Sequence, residues 1–506
     1  MFCSILSAAI YGVDAVPIWV EADVSSGMPV FSMVGFVSSQ VREAQDRVRT
    51  ALRNLGILLP PKRITINLSP GDIRKEGTRF DLPIAAAVLQ AVGEIPEHAL
   101  DGVMLIGELH LDGRIERIAG VLPSVLMARE KGCRICLVPA GNLREGRIVS
   151  GIRVTGIRHL HELIQFCKDS SLPPSEPDPV SEPEKPAAQE DFRDIRGQTP
   201  VIRAALISAA GFHNLLLSGP PGSGKSMIAR RIPGILPPLT PEESLEISRI
   251  YSIAGLLPEG QPLMKSRPFR APHHNISAAA LCGGGMIPRP GEITLAHRGI
   301  LYIDELPEAD PRTLEMLRQP LEERRITVSR SGGTFLFPAS FLFIAAMNPC
   351  PCGYYPDRER CSCSPREIEL YQARISQPLL DRIDLHCSVP AVSYADLTSP
   401  SGDVVSSAQL QKKVTDASLI QQERYQGESF LFNSELPVSL LNRYCCLTGE
   451  AARMMENAFS RLGLSARGYH HLLRVSRTIA DLEHSDSICE AHVSEAICFR
   501  SQSRHT

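Results

Sequence analysis

Hydrophobic and polar residues in the first third of the chain alternate with two different periods. Every second residue is apolar from Ile18 to Val24, and the same alternation returns from Ile64 to Leu68. A period of two predicts half-buried strands. Between them, apolar residues recur every three or four positions from Val41 to Leu55, which predicts an amphipathic helix. Together these patterns predict a mixed α/β domain.

This periodicity stops in a proline-rich stretch from Asp169 to Glu190. Six prolines stand there among serines and acids, with few large apolar residues. Such a segment cannot bury enough surface to offset its chain entropy, and its prolines keep it extended. We therefore expect a linker over 169–190 that follows a first domain over 1–168.

Two further domains are expected after the linker. Short apolar runs between helical stretches predict an α/β core over 191–395, and the pattern becomes helical over 396–506. In that last part, apolar residues fall on one helical face from Leu472 to Leu482. Ser487 and Glu490 form a capping-box pattern, which predicts the start of the final helix.

Composition places the chain among soluble globular proteins. It has 506 residues, of which 43% are hydrophobic and 22% charged. No apolar stretch reaches the ~20 residues that a membrane-spanning helix needs, and no basic residues open a secretory signal. We expect a cytoplasmic protein without membrane contact. The net charge of −3 gives no overall attraction to nucleic acid, so any DNA contact has to be local.

A glycine-rich segment is the first candidate for chemistry. The apolar run Leu215–Leu217 leads into it and a helical stretch follows, which is the context that the motif G-x-x-x-x-G-K-[ST] requires. Such a loop surrounds phosphates with backbone N–H groups, its lysine reaches the β- and γ-phosphates, and its hydroxyl binds Mg²⁺. The alternative is an ordinary Gly/Pro turn. The predicted ATP-binding residues are Gly219, Pro220, Pro221, Gly222, Ser223, Gly224, Lys225 and Ser226.

A second apolar run ends in two acids. Ile300–Ile303 is followed directly by Asp304 and Glu305. Parallel strands deliver their C-terminal residues to the ligand crevice. We therefore expect Asp304 to bind Mg²⁺ together with Ser226, and Glu305 to polarise the attacking water. Taken alone, the same pattern also marks an ordinary strand end.

Four cysteines lie within fourteen residues of one another, further along the chain than the two acids. Two close pairs separated by a short loop can surround one tetrahedral ion, and four thiolates are a common structural zinc set. The Cys-x-Cys spacing is tighter than the usual Cys-x-x-Cys, and a cysteine-rich surface loop or a redox pair are the alternatives. The predicted zinc ligands are Cys350, Cys352, Cys361 and Cys363.

The order of these motifs resembles the magnesium-chelatase-type branch of AAA+ ATPases. After Gly219–Ser226 and Ile300–Glu305 come Ala346–Pro349 and Leu379–Asp384, as in that branch. The resemblance implies that Asn348 is the sensor asparagine that positions the lytic water. It also implies that Arg382 is the arginine finger, which a neighbouring subunit supplies, and that Arg467 is the second sensor arginine.

Each of these residues also has a plainer interpretation. Arg382 could form a surface salt bridge, and Asn348 could be a turn residue before Pro349. Three other arginines are rival candidates for the arginine roles, namely Arg374, Arg474 and Arg477. The ordered set of motifs is more specific than any one member.

The N-terminal domain resembles the proteolytic domain of Lon proteases. The resemblance rests on Leu68–Gly77 and Ile106–Gly113. That peptidase needs a serine nucleophile and a lysine base. The corresponding places here hold Thr78–Asp81 and Ala119–Leu122, which contain neither. We expect the Lon-like fold without its peptidase chemistry.

As a whole, the chain is similar to the ComM/YifB family: a Lon-like domain, a chelatase-type AAA+ core and a helical lid. That resemblance implies a hexameric, ATP-dependent DNA helicase that drives branch migration during recombination in natural transformation. Two alternatives remain open. One is a magnesium-chelatase-like motor subunit acting on a porphyrin, and the other is a Lon-like remodelling ATPase.

DNA contacts are expected in two segments. The run from Ile326 to Phe337 predicts a β-hairpin of the kind that faces the pore in related motors. The other segment is an insertion between the two nucleotide motifs, which also carries Arg267 and Arg270. The predicted phosphate contacts are Arg324, Arg325, Arg330, His273 and His274. Pairing of these cations with acids of adjacent subunits is the alternative.

Overall fold

The computed structural model describes residues 2–169, 190–258, 260–285, 288–330, 333–392, 394 and 405–501. The predicted linker lies outside the described residues except for its ends, Asp169 and Glu190, and so does the hairpin turn at 331–332. Within the described ranges, no helix is both long and apolar enough to cross a bilayer.

The N-terminal part is a seven-stranded mixed sheet in the order β3-β4-β2-β1-β5-β8-β9. Strands β1, β2 and β4 are antiparallel, whereas β3, β5, β8 and β9 each join a neighbour in parallel. The sheet strands are β1 (Phe2–Tyr11), β2 (Asp14–Ser25), β3 (Val30–Val34), β4 (Arg63–Ser69), β5 (Val103–Leu105), β8 (Ile135–Pro139) and β9 (Arg153–Ile157), and a separate ribbon pairs β6 (Glu108–Leu109) with β7 (Ile115–Glu116).

Helices cover this sheet and complete the first core. They are α1 (Ser39–Arg42), α2 (Ala44–Asn54), α3 (Asp81–Val92), α4 (Val121–Glu130), α5 (Leu143–Gly146) and α6 (Leu160–Asp169). The predicted strands lie within β2 and β4, and the predicted helix is confirmed with an interruption at Glu43. The alternating residues of β2, such as Ile18 and Val20, are buried against α3, which is the physical basis of the period of two.

The central part is a five-stranded parallel sheet in the order β11-β14-β17-β10-β18. Its strands are β10 (Leu215–Ser218), β11 (Phe269–Arg270), β14 (Ile300–Ile303), β17 (Leu342–Met347) and β18 (Leu385–Ser388), and a small ribbon pairs β12 (Gly283–Gly284) with β13 (Arg289–Pro290). The helices are α7 (Thr199–Gly211), α8 (Lys225–Arg231), α9 (Pro241–Ala254), α10 (Ala278–Cys282), α11 (Glu292–Leu295), α12 (Pro311–Glu315), α13 (Arg318–Glu323), α14 (Pro365–Gln372) and α15 (Gln377–Leu380). Because β17 lies between β10 and β14, the ends of these three strands meet at one edge.

A separate β-hairpin comes before β17 in the chain, as the sequence predicts. It consists of β15 (Arg325–Arg330) and β16 (Gly333–Pro338), with Ile326 paired with Phe337. The turn between β1 and β2 of the N-terminal part packs on it. The rings of Tyr11 and Phe335 have centroids 4.4 Å apart. Deeper in the same junction, Ser252 of α9 donates a 2.5 Å hydrogen bond to Glu145.

The C-terminal part is helical in its described residues, 405–501. The helices are α16 (Ser407–Arg424), α17 (Leu441–Tyr444), α18 (Gly449–Leu462), α19 (Ala466–Leu482) and α20 (Glu490–Ser501). The predicted apolar face of α19 shares one hydrophobic cluster with Leu215 and Leu217 of β10. The helical part is therefore continuous with the core of the central sheet.

The predicted capping box at Ser487 is wrong. The last helix begins only at Glu490, because Ile488 is fully buried in an extended bridge with Leu447. The Ile488 N–H donates to the carbonyl of Cys446, and the Ile488 carbonyl accepts from the Thr448 N–H. A tertiary pairing therefore overrides the local helix signal.

Candidate nucleotide and metal sites

The glycine-rich loop connects β10 to α8, as the sequence predicts. Gly224 stands at φ +88° directly before Lys225, a conformation that favours glycine. At Gly219 the reason is space: a Cβ there would lie 2.2 Å from the carbonyl oxygen of Val389. The loop therefore depends on glycine both for its turn and for its close approach to the chain after β18.

Lys225 connects this loop to the end of β17. Its Nζ donates to the carbonyls of Gly219 (2.7 Å) and Pro220 (2.9 Å) and to Oδ1 of Asn348 (3.1 Å). Burial lowers the pKa of Lys225, and the nearby Asp304 and Glu305 oppose that shift. The predicted lysine and the predicted sensor asparagine are thus in direct contact.

Ser226 and Asp304 lie side by side. The Ser226 hydroxyl donates to Oδ2 of Asp304 (2.8 Å) and accepts from the hydroxyl of Tyr302 (3.3 Å). A hydroxyl and a carboxylate brought together next to a phosphate loop are the oxygen ligands that Mg²⁺ takes at nucleotide sites. The residues present therefore fit a magnesium ion.

Glu305 follows at the exit of β14 in an uncommon backbone conformation. Its φ is +50°, and non-glycine residues held in that region cluster at functional sites. The side chain is half exposed, and its Oε2 lies 3.3 Å from Nδ1 of His274. The structure thus places His274, a predicted DNA contact, at the candidate catalytic carboxylate.

Sequence reasoning missed this contact because it depends on strand order. β11 is the parallel neighbour of β14, so residues that follow both strands meet at the same edge. The sequence places His274 only in an insertion between the two nucleotide motifs, and the strand β11 before it was not predicted.

Arg382 and Arg467 meet at a shared acid. Both guanidinium groups pair with Glu322 at the end of α13, Arg467 at 3.1 Å, and Arg382 also donates to the carbonyl of Pro378 (2.7 Å). In the described part of the chain, neither arginine forms an ion pair with the acids of the candidate nucleotide site, Asp304 and Glu305. The pair is held there by α19, because His471, one turn after Arg467, contacts the buried carboxylate of Asp384.

The rival arginines lie in different surroundings. Arg474 donates to the carbonyl of Leu436 and Arg477 is buried against Asp481, so both are used within the helical part. Arg374 is half exposed and pairs with Glu308 at 2.9 Å, just beyond Glu305. Of the three, only Arg374 borders the candidate nucleotide site.

The four predicted zinc ligands converge. Their sulfur atoms all lie within 4.8 Å of one another, and three of the separations are 3.3, 3.6 and 3.8 Å. Four thiolates bound tetrahedrally at ~2.3 Å to one zinc ion would be about 3.8 Å apart. Backbone N–H groups of Gly353 and Tyr355 donate to Sγ of Cys350. The arrangement therefore fits a tetrahedral zinc ion.

One of these thiols is already disposed to ionise. The backbone N–H of Tyr354 and the neighbouring thiols lower the pKa of Cys352 to about 6, against the opposing effect of burial. A thiolate is the form that binds metal. All four cysteines are free thiols in the structure.

Comparison with known proteins agrees with this geometry. Residues 191–397 match the family described as magnesium chelatase, subunit ChlI, residues 20–142 match subunit ChlI of Mg-chelatase, and residues 404–500 match its C-terminal region. The chain is 42% identical over 498 residues to the uncharacterized protein YifB of Salmonella typhimurium, covering 98% of this chain and 96% of that one. It is 40% identical over 503 residues to the competence protein ComM of Haemophilus influenzae, covering 99% and 97%.

The chain belongs to the ComM/YifB family. It is thus an AAA+ protein of the magnesium-chelatase type, with the α/β core and helical lid that the sequence predicts. A separate match to Lon protease 2 of Bacillus subtilis, 28% identical over 128 residues, covers 25% of this chain and 22% of that one. The N-terminal domain of this ComM/YifB protein therefore has the predicted Lon-like fold.

The positions of the missing peptidase dyad are filled by other groups in this ComM/YifB chain. Arg79 donates to the carbonyl of Ala119, and burial lowers its pKa to about 10. Leu122 is fully buried, and Thr78 donates to Glu108 at 2.6 Å. These residues supply neither a serine nucleophile nor a lysine base at the place where the peptidase needs them.

Most of the predicted DNA contacts already have partners within the chain. Arg324 pairs with Glu435 of the lid (3.3 Å) and Arg325 with Glu323 (3.3 Å). The rings of His273 and His274 are in contact, with centroids 4.1 Å apart and a tilt of 39°. Arg267 and Arg270 are likewise paired, with Glu243 and Glu292. Arg330 differs: it is exposed at the hairpin end, and no ion-pair partner lies among the described residues.

Proposed function

We propose that this chain is a cytoplasmic, ring-forming DNA motor driven by ATP hydrolysis, a helicase that promotes branch migration during homologous recombination in natural transformation. The observation that carries the proposal is the contact set Lys225–Asn348 and Ser226–Asp304–Glu305, found in a chain that is 40% identical throughout to a competence protein. We also keep the predicted domain boundaries, 1–168, 191–395 and 396–506, as part of the proposal.

In this proposal each residue of the site has one task in hydrolysis. Gly219–Ser226 holds the phosphates, with Lys225 at the β- and γ-phosphates. Ser226 and Asp304 hold Mg²⁺, which when bound neutralises charge on the phosphates. Glu305 accepts the proton of the attacking water, and Asn348 positions that water from the end of β17.

The positions of Arg382 and Arg467 support the proposal of a ring. Both pair with Glu322, on a part of the core that carries no P-loop residue. We propose that a neighbouring nucleotide draws both guanidinium groups away from Glu322, so that each subunit completes the next site. A closed ring, which we take to be a homohexamer, gives every site such a neighbour.

The proposed DNA contact centres on the hairpin tip. Arg330 is exposed there and has no ion-pair partner among the described residues. Arg325, Arg324, His273 and His274 are secondary contacts that would first have to leave their partners. Phosphate contacts of this kind confer no sequence preference and weaken steeply with salt. Single-stranded or branched DNA is the proposed substrate.

The test is the ATPase rate of purified protein with four additions: single-stranded DNA, branched DNA, a porphyrin or an unfolded protein. We expect stimulation by both DNAs and migration of a synthetic four-way junction, with Lys225→Ala as the inactive control. If only the porphyrin raises the rate, a chelatase-like motor is the correct function. If only the unfolded protein raises it, the chain is a Lon-like remodelling ATPase.

The cysteine cluster is proposed to bind one structural zinc ion per chain through Cys350, Cys352, Cys361 and Cys363. Metal analysis of protein prepared without chelator should return about one zinc per chain. Protein that is folded, active and free of zinc would exclude the site.

A further inference from the structure

The segment from Cys350 to Cys363, called here the cysteine loop, presses directly on the phosphate loop. Gly353 stands at φ +87°, and a Cβ on it would lie 2.5 Å from Cδ of Pro221 and 3.8 Å from Cγ of Asn348. Gly353 is therefore in van der Waals contact with Pro221, and Asn348 lies close by. The cysteine loop packs on the phosphate loop at this point.

The cysteine loop is also joined to Asn348 through the chain. Cys350 comes two residues after Asn348, and Nε2 of Gln372 in α14 donates to the intervening Pro349 carbonyl at 3.1 Å. Helix α14 itself starts directly after Cys363, where Ser364 and Glu367 form a capping box. The two ends of the cysteine loop are therefore fixed to the sensor strand and to the helix that supports it.

The middle of the cysteine loop has almost no core of its own. Of residues 350–363, only Cys350, Gly353 and Cys361 are buried. A cavity of about 750 Å³ lies between this loop and the phosphate loop, lined by Tyr354 and Arg360 of the one and by Pro221 of the other. The small hydrophobic cluster of the cysteine loop consists of the four cysteines with Ile368 and Tyr355, so the four sulfurs contribute directly to holding its shape.

We propose that the metal-closed cysteine loop positions Asn348 and Pro221, so that metal occupancy controls the rate of ATP hydrolysis rather than nucleotide affinity. This inference rests on the proposed zinc site and ATPase activity. The remainder of the phosphate loop is held independently, since Gln198 bonds the Ser223 carbonyl (2.8 Å) and Ser226 bonds Asp304. Loss of the metal would therefore disturb the water-positioning side and leave ADP binding intact.

The experiment compares full-length protein before zinc removal, after dialysis against a chelator, and after reloading, always in excess Mg²⁺. Zinc content, kcat for ATP hydrolysis and the Kd of a fluorescent ADP analogue are measured on each sample. Misplacement of a positioning group by about 1 Å can cost up to ~100-fold. We expect kcat to fall by about 10- to 100-fold and to recover on reloading, with the Kd for ADP changed less than about twofold.

Two kinds of variant distinguish the effect of the metal from the effect of the contact between Gly353 and Pro221. Cys361→Ser with Cys363→Ser should reproduce the zinc-free protein, and Cys446→Ser, an exposed thiol of the lid, is the matched control. Gly353→Ala keeps all four thiols but pushes on Pro221, so kcat should fall while zinc is retained. The inference is overturned if kcat of the zinc-free protein is unchanged, or if its ADP affinity falls as far as its kcat. Either result leaves the ATPase proposal standing. Wild-type protein without zinc overturns the inference and the metal site together.

Discussion

At the scale of single residues, the arrangement of the candidate nucleotide site was predictable because its signals are local. The strand, the glycine-rich loop and the helix that begins at Lys225 are contiguous in sequence, and so are β14 and its two acids. The contacts between Lys225 and Asn348 and between Ser226 and Asp304 follow once parallel strands share an edge.

The clearest test at this scale is Glu305→Gln. The amide keeps the size of the side chain but cannot accept the proton of the attacking water. We expect kcat for ATP hydrolysis to fall by about 100-fold or more, while ATP still binds, measured by equilibrium binding and by phosphate release. Glu308→Gln, three residues on and paired with Arg374, is the matched control and should hydrolyse ATP at nearly the wild-type rate. Wild-type turnover in Glu305→Gln would remove Glu305 from its assigned role.

Residue partners that come from distant parts of the chain were not predictable. Arg267 and Arg270 carry charge in a candidate DNA segment, yet Glu243 and Glu292 neutralise them. Such pairs can be foreseen only when the packing of α9 and α11 is known. The charge pattern alone therefore overestimates how many arginines are free to contact DNA.

At the scale of elements, the hairpin β15–β16 was predicted correctly from the run between Ile326 and Phe337. Its register places Arg330 opposite Gly333, the last pair before the turn. The start of the last helix was misplaced because the extended bridge of Ile488 with Leu447 is a tertiary feature. Local signals thus predicted the elements, and packing fixed their limits.

The hairpin prediction can be tested with Arg330→Ala. We expect weaker binding to single-stranded and branched DNA, a slope of log affinity against log salt reduced by about one, and little change in ATPase activity without DNA. Fluorescence anisotropy across a salt series measures both quantities. Arg461→Ala, an exposed arginine of α18, is the control. Equal loss in both variants would indicate a general charge effect and not a contact of the hairpin.

At the scale of the whole molecule, the location of Arg382 and Arg467 on one acid has a consequence for mixed rings. Subunits with Arg382→Ala lack the finger, and subunits with Lys225→Ala cannot bind nucleotide productively. Mixing the two should restore part of the hydrolysis, because some interfaces combine an intact phosphate loop with an intact arginine pair. The ATPase rate of rings verified to be mixed is the measurement.

A second mixture asks whether the two arginines act together on the neighbouring site. Subunits with Arg382→Ala and subunits with Arg467→Ala each donate only one of the two guanidinium groups. If both act on the neighbour, no interface in this mixture is complete and the rate stays low. Recovery of the rate would show that Arg467 serves the nucleotide of its own subunit.

The packing of Tyr11 on Phe335 shields apolar surface of the N-terminal domain and of the hairpin from water. In the absence of the N-terminal domain, the side of the hairpin that Tyr11 and Val13 pack against would face water. An exposed apolar hairpin with free edges promotes association between chains. A fragment beginning at residue 190 should therefore aggregate at concentrations at which the full chain stays dispersed, as light scattering would show. The Lon-like domain would then contribute to colloidal stability, whatever its role in handling substrate.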